Sequence, residues 1–316
     1  MILGIAVDVR PDDIGNKGSP QYEELKSIAR RAEVAKVDFI LLTEESQRRE
    51  GPDVFVIAAA LAAVTREIGI VISVCISDMC PYHFARDLAA LDQISGGRIG
   101  WRPISDPRPN DSVSAAGRAA EFIFLVRKLW NAIKKDAFMP RPGTFITSAK
   151  IEPVNHLGQH FTFYGVVESQ QSPQGEPPCF DWQSDDLSSN PKVNFDVTVK
   201  EDEALSSKIQ NGSDANDVVE LVSVKPCSQT LSIDVSPSRR RHHPFAPELN
   251  KTLTEREIQS QIQRRRDKSC SGLLIDASGA RDIAWAVLSA VESNVSGESH
   301  LCGRLTLRER MSRAIS

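Results

Sequence analysis

Residues 81–101 read PYHFARDLAALDQISGGRIGW, a helix that passes through a sharp turn into a buried strand. Pro81 suits a first helical position, where its missing N–H would have no intrahelical acceptor anyway. Phe84, Leu88 and Leu91 recur at helical spacing with Ala85 and Ala89 beside them, giving one apolar face. Ser95-Gly96-Gly97 supplies the left-handed stop of a helix C-terminus. Arg98-Ile99-Gly100-Trp101 then reads as a strand whose glycine admits close backbone approach.

Working outward, strand and helix signals alternate. Leu3–Val9 reads as a strand, Tyr22–Ala35 as an amphipathic helix, Phe39–Thr43 as a strand, Val54–Glu67 as an Ala-rich helix and Gly69–Ile76 as a strand. After the 81–91 helix and the 98–101 strand, Ala119–Lys134 is helical, with Phe122, Ile123, Val126, Leu129 and Trp130 at core spacing. Trp101 and Trp130 are both expected to be buried. His160–Val167 alternates like a hairpin strand. Pro178–Trp182, Phe195–Val199, Val219–Val224 and Gly272–Asp276 supply four more strands. Thr254 to Glu257 fits a capping box, and Ile283–Val291 is an apolar helix. Eight strands interleaved with helices predict a parallel sheet buried on both faces and a (β/α)8 TIM barrel, about 250 residues plus insertions. One domain is expected over 1–316, with a hairpin insertion at 139–177 before strand 5 and an irregular loop at 226–253 after strand 7.

The chain has 316 residues, 41% hydrophobic and 25% charged, with a formal net charge of -4. That balance belongs to a globular protein and argues against nucleic acid or a membrane as partner. No stretch approaches the ~18 apolar residues of a membrane span. The N-terminal MILGIAVDV reads as a first strand and not as an export signal. The six cysteines form no CxxC pair, so a reducing, cytoplasmic location and buried thiols are expected, Cys75 and Cys80 included. His156 and His160 are spaced i,i+4, but Gly158 between them disfavours a metal pair, and no metal is expected. Arg239 to Arg241 with His242 and His243 is a basic run without interleaved aromatics, read as a solvated loop.

The 81–101 stretch closely resembles the luciferase-like, FMN-dependent monooxygenases, in particular the branch that includes nitrilotriacetate monooxygenase. The resemblance rests on Pro81-Tyr82-His83, Ala85-Arg86, Leu91-Asp92, Ser95-Gly96-Gly97-Arg98 and Gly100-Trp101. It extends to Val154 through Phe161, to Ser172-Pro173-Gln174-Gly175, and to Leu305-Thr306-Leu307-Arg308-Glu309. It implies a barrel with FMN across the carboxyl ends of the strands, a separate flavin reductase, and oxidation of a small organic substrate by oxygen. Homo- or heterodimeric assembly is compatible with it.

Function in such a barrel belongs to the loops after the strands, here near Asp8, Glu44, Ser77, Arg102, Asp181 to Asp185 and Asp276. By the resemblance, Glu44, Ser77, Arg102 and Asp185 occupy flavin-facing positions, largely altered. The family's phosphate loop is Gly-rich and opens a helix, which suits a phosphate. Here that loop reads Trp182-Gln183-Ser184-Asp185-Asp186-Leu187-Ser188, 176–194 contains no glycine, and Pro191 follows. Carboxylates beside a phosphate repel it, and Arg102 stands where relatives carry an amide. Ala115-Ala116 replace an Arg-Tyr pair. FMN binding is therefore expected to be weak or lost.

Three readings follow: a flavin-dependent monooxygenase, a flavin-independent enzyme using acid–base groups at the barrel mouth, or a non-catalytic partner subunit. Glu44, Arg102 and His83 are the candidate catalytic groups. Glu44 and Arg102 are expected to meet over a cleft suited to a small polar or zwitterionic ligand. His83 has a bland alternative as a helix-surface or capping residue.

Overall fold

The computed structural model describes residues 2–9, 20–43, 53–105, 112–133, 152–167, 169, 171–182, 193–201, 219–224, 272–276, 284, 285, 288, 291 and 306–313. In chain order the elements are β1 (Ile2–Asp8), α1 (Pro20–Val34), β2 (Phe39–Thr43), α2 (Val54–Val64), β3 (Gly69–Cys75), α3 (Pro81–Ser95), β4 (Ile99–Ile104) and α4 (Ser112–Asn131). Then come β5 (Val154–Leu157), β6 (Thr162–Gly165), β7 (Phe180–Trp182), β8 (Val197–Glu201), β9 (Val219–Val224), β10 (Gly272–Asp276) and a final helix α5 (Leu307–Arg313).

Eight strands form one parallel sheet in the order β4-β3-β2-β1-β10-β9-β8-β7. Its edge strands β4 and β7 meet at a parallel bridge between Trp101 and Cys179, where Trp101 N–H donates to the Pro178 carbonyl (3.0 Å). Side chains alternate across the strands, as the pleat requires. Ile5, Val7, Ile40, Leu42, Ile70, Ile72 and Trp101 face the helices. Ala6, Phe39, Leu41, Val71, Phe180, Val199 and Leu274 face the opposite way and pack on one another. Gly4 is required by this inner packing, since a Cβ there would stand 2.2 Å from the Phe39 ring.

The helical layer follows the sequence expectation closely. Trp101 and Trp130 are both buried and meet edge to face at 6.0 Å. The α3 helix runs four residues past its apolar repeat, because Asp92 and Ser95 turn inward and are satisfied there. Gly96 caps it with a left-handed backbone (φ 73°). The α4 helix starts at Ser112, seven residues earlier than its apolar periodicity suggests. The β5–β6 pair is an antiparallel hairpin lying on α3 and α4, with Phe163 stacked on Tyr82 and Phe161 edge to face with Phe122. The 254–257 capping box and the 226–253 loop lie outside the described residues, as do 139–151 of the insertion.

Four of the family-resembling motifs, at 91–92, 95–98, 172–175 and 305–309, meet at one end of the sheet, where the strands begin. Asp92 is buried and accepts from Ser172 Oγ (2.5 Å), Gln174 Nε2 (2.8 Å) and the Ile99 N–H (3.0 Å). Burial pushes the Asp92 carboxyl up despite these donors. Arg98 caps the end of α2, donating to the carbonyls of Ala62, Thr65, Ile68 and Ser95 and to Thr65 Oγ1. Leu307 N–H donates to the Gly97 carbonyl (2.8 Å), and Thr306 with Glu309 forms a reciprocal capping box that opens α5. Arg310 reaches the carbonyls of Asp38 and Glu67, just before β2 and β3. Helix α5 thus plugs the amino end of the sheet, with Leu307 and Met311 in the inner core.

Candidate functional site

With the amino end plugged, the carboxyl ends of the strands are where a ligand could enter. Strand alternation places Asp8, Thr43, Ser73 and Arg102 on the inner face, one step beyond Ala6, Leu41, Val71 and Gly100. The register makes them neighbours. Asp8 pairs with Thr43 and Ser73 with Arg102, while the pairing of Leu42 with Ile72 sets Thr43 beside Ser73. A single polar row therefore crosses β1, β2, β3 and β4.

Thr43 (7% exposed) and Ser73 (1% exposed) each bury a hydroxyl that has no hydrogen-bond partner among the described residues. A hydroxyl buried in this way costs about 1–3 kcal/mol relative to a satisfied one. The Arg102 guanidinium carbon sits 4.5 Å from the centroid of the Trp182 ring, so that the cation lies over an aromatic face. Trp182 ends β7 and belongs to the inner core, so it forms the wall on the far side of Arg102.

The residues picked out in the sequence are distributed unevenly around this row. Arg102 is in it. Glu44 and Asp185 lie outside the described residues, as do Gln183, Asp186 and Pro191, so the expected Glu44–Arg102 contact and the altered phosphate loop lie there too. Ser77 is half-buried in the turn after β3, and its carbonyl accepts from Arg118 Nε (3.1 Å). Arg118 also stacks on Phe161 at 4.5 Å, which ties this turn to α4 and the hairpin. His83 is exposed on the first turn of α3, edge-on to Tyr82 at 5.5 Å, in the helical layer and not on the inner face. Ala115 and Ala116 are half-buried on α4.

Two expectations need correction. Asp181 does not join the mouth carboxylates: Phe180 and Trp182 face inward, so Asp181 is buried on the other side of β7. Cys75 and Cys80 are exposed, because β3 emerges at Cys75 and Cys80 is the N-cap residue of α3. Cys179 is buried as expected, and burial pushes its thiol far up, so it is inert as a nucleophile. His156 has a structural partner: its Nε2 lies 2.9 Å from Glu121 Oε1, and Glu121 also accepts the N–H groups of His160 and Phe161. Burial raises the Glu121 carboxyl, but these three contacts outweigh it and hold the group below its usual range. Among the described residues, no helix is long and apolar enough to cross a membrane.

Sequence reasoning missed Thr43 and Ser73 in this row, while Trp182 falls within the 181–185 stretch expected at the mouth. The signal was present for both hydroxyls: one closes the apolar run Phe39–Thr43, and the other interrupts Gly69–Cys75.

A parallel α/β sheet with helices on its outer face, one covered end and polar groups at its carboxyl ends is an architecture on which many enzymes place their sites among the βα loops. The chain belongs to the luciferase-like monooxygenase family, whose sequence model matches residues 1–181. It is 29% identical over 189 residues to N-acetyl-S-(2-succino)cysteine monooxygenase of Bacillus subtilis (strain 168), covering 53% of this chain and 43% of that protein. It is 31% identical over 183 residues to nitrilotriacetate monooxygenase component A of Aminobacter aminovorans, covering 48% of this chain and 40% of that protein. Its fold is similar to that of a riboflavin lyase crystallised with modified FMN and riboflavin, with a TM-score of 0.67 at 18% identity over 99% of this chain and 95% of that one. The aligned region spans about half or less of the length of these curated relatives.

Proposed function

We propose that this chain is a luciferase-like monooxygenase-type protein that holds a small organic substrate at the carboxyl ends of its strands, with conventional FMN binding weak or lost. The observation that carries the reading is the inner row ending in Arg102. A guanidinium has donors and no acceptor, whereas the pyrimidine edge of a flavin ring presents an N–H as well as carbonyls. Arg102 therefore serves only part of that edge, where an amide would serve both. The sequence of the phosphate loop, with Asp185, Asp186 and no glycine over 176–194, works in the same direction. These residues fit FMN poorly, so the chemistry derived for the chain is binding and orientation, and the redox chemistry would come from a cofactor.

The Trp101–Cys179 bridge supports closure of the eight strands into a (β/α)8 barrel. A single domain over 1–316 with the hairpin insertion at 139–177 and the loop at 226–253 is part of this proposal. So are a small-molecule substrate, a separate flavin reductase and a homo- or heterodimeric assembly, which the relatives suggest. Glu44 and Arg102 are proposed as the acid–base and charge-holding groups, and Ser77 and Asp185 as residues at the former flavin contacts; His83, exposed on the first turn of α3 and off the inner face, is better read as the helix-surface residue of the alternative reading.

Titrating the protein with oxidised and reduced FMN tests this by fluorescence quenching. The expected dissociation constant is weaker than ~10 μM, and a value below ~1 μM overturns the weak-binding reading. Each decade corresponds to about 1.4 kcal/mol. The double change Asp185→Ser with Gln183→Gly is expected to recover at least one decade.

A further inference from the structure

We propose that strand β6 of the hairpin is an open edge through which two copies of this chain pair, antiparallel about a twofold axis; this rests on the dimeric assembly in the proposed function and names its surface. The Gly158 N–H donates to the Phe161 carbonyl (2.9 Å), which fixes the hydrogen-bonding phase of the hairpin. Leu157 stands opposite Thr162 and Asn155 opposite Tyr164. In that phase these are the pairs without mutual hydrogen bonds, so their N–H and C=O groups point outward. On the β5 side the outward carbonyl of Asn155 is taken by Lys128 Nζ (2.7 Å). On the β6 side no described residue takes the outward groups of Thr162 and Tyr164, and both residues are exposed.

Charge and symmetry point to a second copy as the occupant. Exposed edges are usually guarded by charged side chains or proline. From Pro153 to Val167 the chain has no Asp, Glu, Lys or Arg, and β6 has no proline. An identical strand therefore meets this edge without the repulsion that like charges opposite each other would bring. A twofold axis at Phe163 sets Thr162 of one copy against Tyr164 of the other, and again in reverse. Each such pair can exchange both of its main-chain hydrogen bonds. Leu157 (85% exposed) and Tyr164 (81% exposed) share the outer face of the hairpin with Val166, and pairing makes the two apolar faces continuous. Lys128 at the outer edge of β5 ends the sheet there, so association closes at a dimer and does not run on into a fibre.

The experiment is sedimentation velocity of the full chain over a micromolar concentration series, with amide hydrogen exchange at both ends of the series. A reversible dimer is expected, with exchange at Thr162 and Tyr164 slowing as it forms. Tyr164→Pro removes an outward N–H and leaves the β5–β6 ladder intact; it should weaken the dimer at least tenfold, about 1.4 kcal/mol. Tyr164→Lys should weaken it similarly, and it carries the test if Tyr164→Pro does not fold. Adding Thr162→Glu to Tyr164→Lys should restore dimerisation, because opposite charges then face each other twice across the axis. A dimer unchanged by both single substitutions overturns the β6 surface while leaving the assembly itself to stand. A chain that is monomeric throughout the series overturns the surface and the homodimer together.

Discussion

The two ends of the sheet solve the problem of buried polar groups in opposite ways. Where the strands begin, Arg98 makes five hydrogen bonds and Asp92 accepts three, and α5 covers both the turn at Gly97 and the starts of β2 and β3. Where the strands finish, Thr43 and Ser73 bury hydroxyls that no described residue satisfies. One end is built for stability, and the other carries a standing cost of the kind that binding sites carry. The lesson concerns the resemblance too. Four of its motifs, Leu91-Asp92, Ser95 to Arg98, Ser172 to Gly175 and Thr306 to Glu309, meet at the stable end, while Pro81-Tyr82-His83 and the 154–161 stretch lie in the helical layer. They identify the scaffold and say little about the chemistry at the other end.

The largest test of this contrast is Arg98→Ala. It leaves four carbonyls and Thr65 without their donor in a buried place, and a loss of about 3–5 kcal/mol is expected in urea unfolding. A variant as stable as the parent would show that the amino end is not the fastening.

A smaller effect is expected from Gly97→Ala. Its φ of 85° strains any L side chain, and a Cβ would stand 2.7 Å from Thr306 Cγ2. Strain of this kind costs about 1–3 kcal/mol, read as a lowered denaturation midpoint. A loss under ~0.5 kcal/mol would mean that α5 is not held against this turn.

The smallest stability effect, and the sharpest contrast, belongs to Ser73→Ala. Removing a hydroxyl that has no partner should be neutral within about 0.5 kcal/mol or mildly stabilising. A destabilisation above ~1 kcal/mol would show that the Ser73 hydroxyl is structurally engaged.

Local signals made much of the fold legible. Phe39–Thr43, Val219–Val224 and Gly272–Asp276 were read to the residue, because a short apolar run bounded by polar residues has few alternatives to a buried strand. Helix α3 was legible from Pro81 and Gly96, which act on their own turn of chain. The misses share one cause. Asp181 and Trp182 are adjacent in sequence, and only the packing of Phe180 on Phe39 at 5.4 Å shows which of them faces inward. Cys75 sits in an apolar run that reads as core, but it is the last residue of β3, paired with Ile104 at the carboxyl edge of the sheet, and its side chain is exposed there.

By itself, then, the sequence determined the order of strands and helices, the helix stops and the family, since capping, turns and periodicity act over a few residues. Tertiary structure alone decided that Asp8, Thr43, Ser73 and Arg102 stand in one row. Strand register joins residues 8, 43, 73 and 102 through pairings across four separate strands. Moving any strand by a single residue would turn its side chains to the other face and break the row.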